Sequence, residues 1–97
     1  MGDHYILKDK KAVPVDLITW AKWFETADLH VAMDEIGDVR ISTVFLGLDH
    51  QFGDGPPLLF ETLVFGGKLD DEMDRYTTWE EAEKGHAEMV IKVRQGD

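Results

Sequence analysis

Asp49-His50 is the first pairing in this sequence whose residue types could do chemistry, and it lies in the segment Leu48-Asp49-His50-Gln51-Phe52-Gly53-Asp54-Gly55-Pro56-Pro57. A carboxylate beside an imidazole can hold or move a proton. The neighbouring residues describe an exposed loop: Gly53 and Gly55 can take positive φ, and Pro56-Pro57 stiffens the return. Phe52 serves such a loop either as an anchor buried beneath it or as a platform on which a ligand stacks. Glu61 follows, inside the apolar run Leu58-Leu59-Phe60-Glu61-Thr62-Leu63-Val64-Phe65. An unpaired buried carboxylate is costly, so this reading requires Arg40, His50, His86 or water beside it. If Glu61 and Thr43 face the loop, they line a polar pocket with Tyr76 and Trp79 at its rim; otherwise Glu61 sits on a solvated strand face. His86 interrupts an apolar helical stripe and must find a hydrogen-bond partner, and a satisfied core histidine is the favoured interpretation. The candidate ligand-binding set is therefore Thr43, Asp49, His50, Phe52, Glu61, Tyr76, Trp79 and His86.

Several chemistries are disfavoured by residue type or spacing. The chain has no cysteine, which removes disulfides, thiolate nucleophiles and Cys-based zinc sites. Its histidines, His4, His30, His50 and His86, show no HxxxH or HxH spacing, so a metal site would need distant groups such as His50, Asp49, Glu61 and His86. No metal ligand is assigned and no cofactor is expected. Ser42 lies in no GxSxG elbow, and neither Gly53-Asp54-Gly55 nor Gly66-Gly67 leads into a helix with Lys-Ser or Lys-Thr. A noncatalytic role is favoured, with a small hydrolytic or isomerising enzyme using Asp49, His50 and Glu61 as an alternative.

Charge narrows the partners. Twenty acidic and ten basic residues give a formal charge of −10. That field repels phosphate backbones, so direct nucleic-acid binding is not expected. Glu80 and Glu81 suit the first turn of a helix, whereas Asp70, Asp71, Glu72 and Asp74 form a row that could meet a basic partner. The remaining basic residues include a turn at Lys8-Asp9-Lys10-Lys11. No segment has the roughly 18 apolar residues of a membrane span. Met1-Gly2-Asp3-His4 has neither a basic leader nor an apolar signal core, and Ile6 stands where a myristoylation signal wants Ser or Thr. A cytoplasmic protein without membrane attachment is expected.

These groups must be positioned by a small fold. Ninety-seven residues with 43% hydrophobic content can close one core, so residues 1–97 are read as one domain. His4 to Val15 reads as an edge strand or hairpin, because Pro14 cannot donate to a central ladder. Asp16 caps a first helix over about 17–27, with Leu17, Trp20, Ala21, Phe24 and Ala27 on one stripe. Alternation over 31–48 around Ile36-Gly37-Asp38 predicts a β-hairpin. A strand over 58–65 follows and ends at Gly66-Gly67, and residues 70–74 read as an acidic connector. Thr78-Trp79-Glu80-Glu81 is a capping box opening a second helix with Trp79, Ala82, His86, Met89 or Val90, and Val93 inward. Gly85 implies close approach to another backbone. The fold class is α+β: a small antiparallel sheet of about four strands with two helices packed on one face. Apolar groups on both sides of 58–65 leave its second face either covered or paired with another copy, so a homodimer is a possible state.

Three stretches, Thr43-Val44-Phe45-Leu46-Gly47-Leu48-Asp49-His50, Gly55-Pro56-Pro57-Leu58-Leu59-Phe60-Glu61-Thr62 and Tyr76-Thr77-Thr78-Trp79-Glu80-Glu81-Ala82, resemble a group of short uncharacterised proteins of tailed bacteriophages and prophages. The resemblance covers about half of the chain and implies context without an activity: a small protein made in a bacterial cytoplasm. The expectation is a noncatalytic accessory protein that binds a host protein or a small-molecule ligand, such as a nucleotide signal, through residues 49–61. The alternative is an acidic mimic of nucleic acid that inhibits a host defence protein through Asp70, Asp71, Glu72 and Asp74.

Overall fold

The computed structural model describes residues 4–51 and 53–96. Strands β1 (Tyr5–Lys8) and β2 (Lys11–Pro14) form a two-stranded hairpin. Asp9 and Lys10 make its turn, both at positive φ (51° and 69°). Helix α1 (Leu17–Thr26) starts where the Asp16 carboxylate accepts the Thr19 N–H at 2.8 Å. That bond also holds the Asp16 carboxyl below its ordinary value of 3.8. Strands β3 (His30–Ile36), β4 (Val39–Phe45), β5 (Phe60–Phe65) and β6 (Met73–Tyr76) form an antiparallel meander in the order β3-β4-β5-β6. Helix α2 (Trp79–Gly96) closes the described chain. The α+β class and the four-stranded antiparallel sheet follow the sequence expectation, and the hairpin adds a second small sheet.

Side chains alternate across a strand, so the register sorts the sheet into two faces. Val39, Ile41, Thr43 and Phe45 from β4 and Phe60, Thr62 and Val64 from β5 are buried on one face. Helix α2 covers it with Ala82, Gly85, His86, Met89 and Val93. The core divides into an Ile41, Val64, Met89 and Val93 cluster and an aromatic cluster around Phe45, Leu59, Phe60 and Ala82. Burying Phe45 or Phe60 completely contributes about 2–3 kcal/mol per ring. Helix α1 lies at the end of the same side, where Trp23 meets Phe45 edge-on at 5.8 Å. Gly47 permits this junction. Its φ is +75°, and an added Cβ would come within 2.7 Å of Phe24 and 2.9 Å of Trp20.

Two local expectations need correction. Residues 70–74 are not merely a connector: after a turn in which the Asp70 carboxylate accepts the Gly66 N–H at 2.6 Å, Met73–Tyr76 forms the fourth strand on the sheet edge. Its charges hid it, because an edge strand has one open flank that tolerates Asp74 and Arg75. Gly85 approaches a ring and not a backbone; a Cβ there would lie 2.2–2.3 Å from three atoms of Tyr76. The capping box is formed as expected, with Thr78 Oγ1 accepting from Glu81 N at 3.1 Å and Glu81 Oε1 accepting from Thr78 N at 3.3 Å.

Candidate functional site

The imidazole of His86 is 4% exposed and lies in a chain of hydrogen bonds through the core. Its Nε2 is 2.7 Å from Asp34 Oδ2, and its Nδ1 is 2.7 Å from Thr43 Oγ1. Thr43 Oγ1 also bonds Thr62 Oγ1, which accepts from the Tyr76 hydroxyl at 3.2 Å. One proton order satisfies every member: Tyr76 donates to Thr62, Thr62 to Thr43, Thr43 to Nδ1, and the Nε2–H to the Asp34 carboxylate. Burial raises the Tyr76 pKa above its ordinary 10.0, against the opposing pull of its bond to Thr62. A carboxylate, an imidazole and a hydroxyl in series resemble a nucleophile and its base. Thr43 and Thr62 have no exposed surface, however, and no substrate atom can reach either hydroxyl. The favoured structural reading of His86 therefore agrees with its surroundings.

Glu61 belongs to the opposite face. It pairs in register with Val44 and Arg75, one residue out of step with Thr43 and Thr62. Its Oε2 accepts from Arg75 Nε at 3.1 Å, a partner absent from the four considered above. Asp49 closes its own loop, with Oδ1 accepting from Gln51 N at 2.8 Å and Leu58 N at 3.1 Å. His50 is half-buried and donates its backbone N–H to Leu58 O at 3.1 Å. Phe52 lies outside the described residues. The predicted set is thus divided: Thr43, Tyr76 and His86 share the buried chain, Glu61 is on the far face, and Asp49 ties the loop ends. Among the described residues, no three His, Asp or Glu side chains are grouped to hold a metal ion.

Trp79 leads to a different place. It stands in the first turn of α2, its ring edge-on to Phe60 at 6.3 Å, and Lys10 Nζ lies 5.4 Å from its centroid. Between the β1–β2 hairpin, the segment leading into β5 and this turn is a cleft of about 400 Å³. Tyr5, Ala12, Pro57, Leu59 and Trp79 give it apolar walls, and Lys10, Lys11, Thr77, Thr78 and Glu80 supply polar groups. From the predicted 49–61 segment only Pro57 and Leu59 contribute. Two lysines against one glutamate make the lining net +1 in a chain of net −10. The volume suits a small organic ligand.

The chain matches no known protein family, curated protein or solved structure.

The hairpin lysines were legible only as a basic turn. The signal that singles them out is concentration: Lys8, Lys10 and Lys11 are three of ten basic residues within four positions. The acidic row, by contrast, is partly engaged within the fold. Asp70 caps the Gly66 N–H, and Glu72 accepts from Lys92 Nζ at 2.6 Å, which raises the lysine's pKa. Asp71 sits in the turn at φ +70°, and Asp74 lies on β6. Among the described residues, no helix is long and apolar enough to cross a membrane.

Proposed function

We propose that this chain is a noncatalytic accessory binding protein, of the phage type its sequence resembles, that holds a small anionic ligand with a flat apolar portion in the hairpin cleft. A nucleotide is the ligand class that fits. The observation that carries this reading is the meeting of Lys10 and Lys11 with Trp79, Leu59 and Pro57 in one concavity. A ring can lie against the apolar walls while lysine ammonium groups and threonine hydroxyls meet phosphate oxygens. The turn that presents Lys10 supports it: Asp9 and Lys10 both occupy the left-handed region, where Asn-Gly would fold more cheaply. A noncatalytic role is supported by the sealed position of the His86–Thr43 imidazole–hydroxyl pair. The acidic-mimic alternative is less well supported, because Asp70 and Glu72 already have intramolecular partners.

Thermal melts with AMP, cyclic mononucleotides, adenosine and inorganic phosphate test the proposal. A ligand at one hundred times its Kd stabilises the folded state by about 2.7 kcal/mol, or a rise of roughly 10–20 °C for a domain of this size. Phosphate-bearing nucleotides should raise the melting temperature more than adenosine or phosphate alone. Lys10→Glu with Lys11→Glu should abolish the rise and leave the unliganded melt unchanged. An equal response in the double variant, or none with any probe at millimolar concentration, rejects the proposal.

A further inference from the structure

The hydrogen bonds that link Asp34, His86, Thr43, Thr62 and Tyr76 cross the whole width of the sheet, from β3 on one edge to β6 on the other. With His86 neutral, the donors run from Tyr76 toward Asp34. A hydroxyl gives one hydrogen and can accept another, so the same row can be filled in the opposite sense. In that order Nδ1–H donates to Thr43, Thr43 to Thr62, Thr62 to the Tyr76 oxygen, and Tyr76 to water, while Nε2–H stays on the Asp34 carboxylate. The reversed order needs a hydrogen on both ring nitrogens, which is the imidazolium form. Neither order strands a buried group, because the only hydroxyl that exchanges a protein partner for solvent is that of Tyr76, which is partly exposed.

The two orders differ by one proton. It enters from water at the Tyr76 oxygen as that hydroxyl passes its own hydrogen to Thr62, Thr62 passes its own to Thr43, and Thr43 its own to Nδ1. An N–H bond forms at His86, each hydroxyl loses one hydrogen and gains one, and the positive charge rests beside Asp34. Burial works against a charged imidazole, and a carboxylate at hydrogen-bond distance works for it. That carboxylate comes from β3, with Asp34 Oδ2 at 2.7 Å. On the α2 side, β4 and β5 present only apolar side chains and threonines. β6 presents Tyr76 and Asp74, the latter in register with Thr62. Along α2, Glu83 lies one turn before His86, Glu88 acts on Tyr76, Lys84 is on the exposed side, and Lys92 is held by Glu72. We propose that this row is a two-state proton switch: protonating His86 reverses its hydroxyls and turns the Tyr76 hydrogen from Thr62 out to water, with the fold intact.

Long-range nitrogen–proton NMR of the full chain between about pH 8 and pH 4, which spans the histidine range, reads both ring nitrogens. At the alkaline end His86 should carry its hydrogen on Nε2 alone. On acidification both nitrogens should become protonated while the amide spectrum stays dispersed, and the Tyr76 ring signals should move in step. Tyr76→Phe makes the decisive comparison, since it keeps the ring against Gly85 and removes the oxygen that takes the Thr62 hydrogen in the charged order alone. It should lower the His86 midpoint by about one to two pH units, the effect of one orphaned buried donor. Thr62→Val, which removes the oxygen that takes the Thr43 hydrogen, should lower it likewise and serves if the phenylalanine variant folds poorly. A hydrogen on Nδ1 alone at the alkaline end, a His86 that takes no second proton before the chain unfolds, or an unchanged midpoint in a folded variant overturns the proposal.

Discussion

Replacing Thr43 by valine tests whether the buried polar chain acts as a unit. The substitution nearly preserves volume, so its cost comes from hydrogen bonding and not from a cavity. Without the Thr43 hydroxyl, His86 Nδ1 loses its donor and Thr62 loses its acceptor. Thr62 can turn toward Tyr76, which is partly exposed and can pass its own proton to water; His86, 4% exposed, has no such route. Between one and two buried groups are therefore orphaned, each costing about 2 kcal/mol, for a total of about 2–4 kcal/mol. That is a large share of the roughly 5–15 kcal/mol that holds a domain folded, and it lowers the melting temperature by about 10–25 °C. Urea unfolding followed by tryptophan fluorescence and circular dichroism measures it. His86→Leu should also destabilise, by stranding the Thr43 hydroxyl. The double variant should cost about 1–3 kcal/mol less than the sum of the two, because it removes both ends of one broken bond. A Thr43→Val cost below about 0.5 kcal/mol, the level of a surface change, or strict additivity in the double variant, would refute the chain.

Two further predictions concern Tyr76. Its pKa is raised in the folded state, so the unfolded chain releases the phenolic proton first; stability should hold below pH 10 and fall above it, and Tyr76→Phe should flatten that limb of a denaturation-against-pH profile. Gly85→Ala gains about 1 kcal/mol of helix propensity, yet its methyl would meet the Tyr76 ring at 2.2–2.3 Å. The variant should melt below wild type, and in a Tyr76→Val background the same change should be neutral or stabilising; a stabilised single variant would show that the ring moves aside freely.

Most of the fold was legible where local signals agreed. Asp16 and the Thr78–Glu81 box mark helix starts by side chains that satisfy orphan N–H groups, and both caps are formed. The β3–β4 hairpin followed from alternation around Gly37, where φ is +59°. Strand β6 was hidden because it has only four residues, two of them charged, and takes its strand character from pairing with β5. Nothing in Met-Asp-Arg-Tyr carries that long-range information.

The candidate site was harder to read for a reason of parity. In Phe60-Glu61-Thr62-Leu63-Val64-Phe65 both alternating sets contain apolar residues, so hydropathy did not decide whether Glu61 or Thr62 faces the core. Pairing Glu61 with Thr43 required the wrong set to point inward, and the register of β4 with β5 separates them. What remains on the buried side is an imidazole between a carboxylate and two threonines, a group whose residue types suggest reactivity and whose bonds are consumed in joining α2 to β3, β4 and β5. The unusual backbone lies elsewhere, in the Asp9-Lys10 turn beside Trp79, where two non-glycine residues hold left-handed conformations. A core network lowers its own energy by being complete, so it needs no ligand to account for it. The strained cationic turn has the Lys10–Trp79 contact but no comparable closed network around it, which is why the proposed ligand is assigned to the hairpin and not to the histidine.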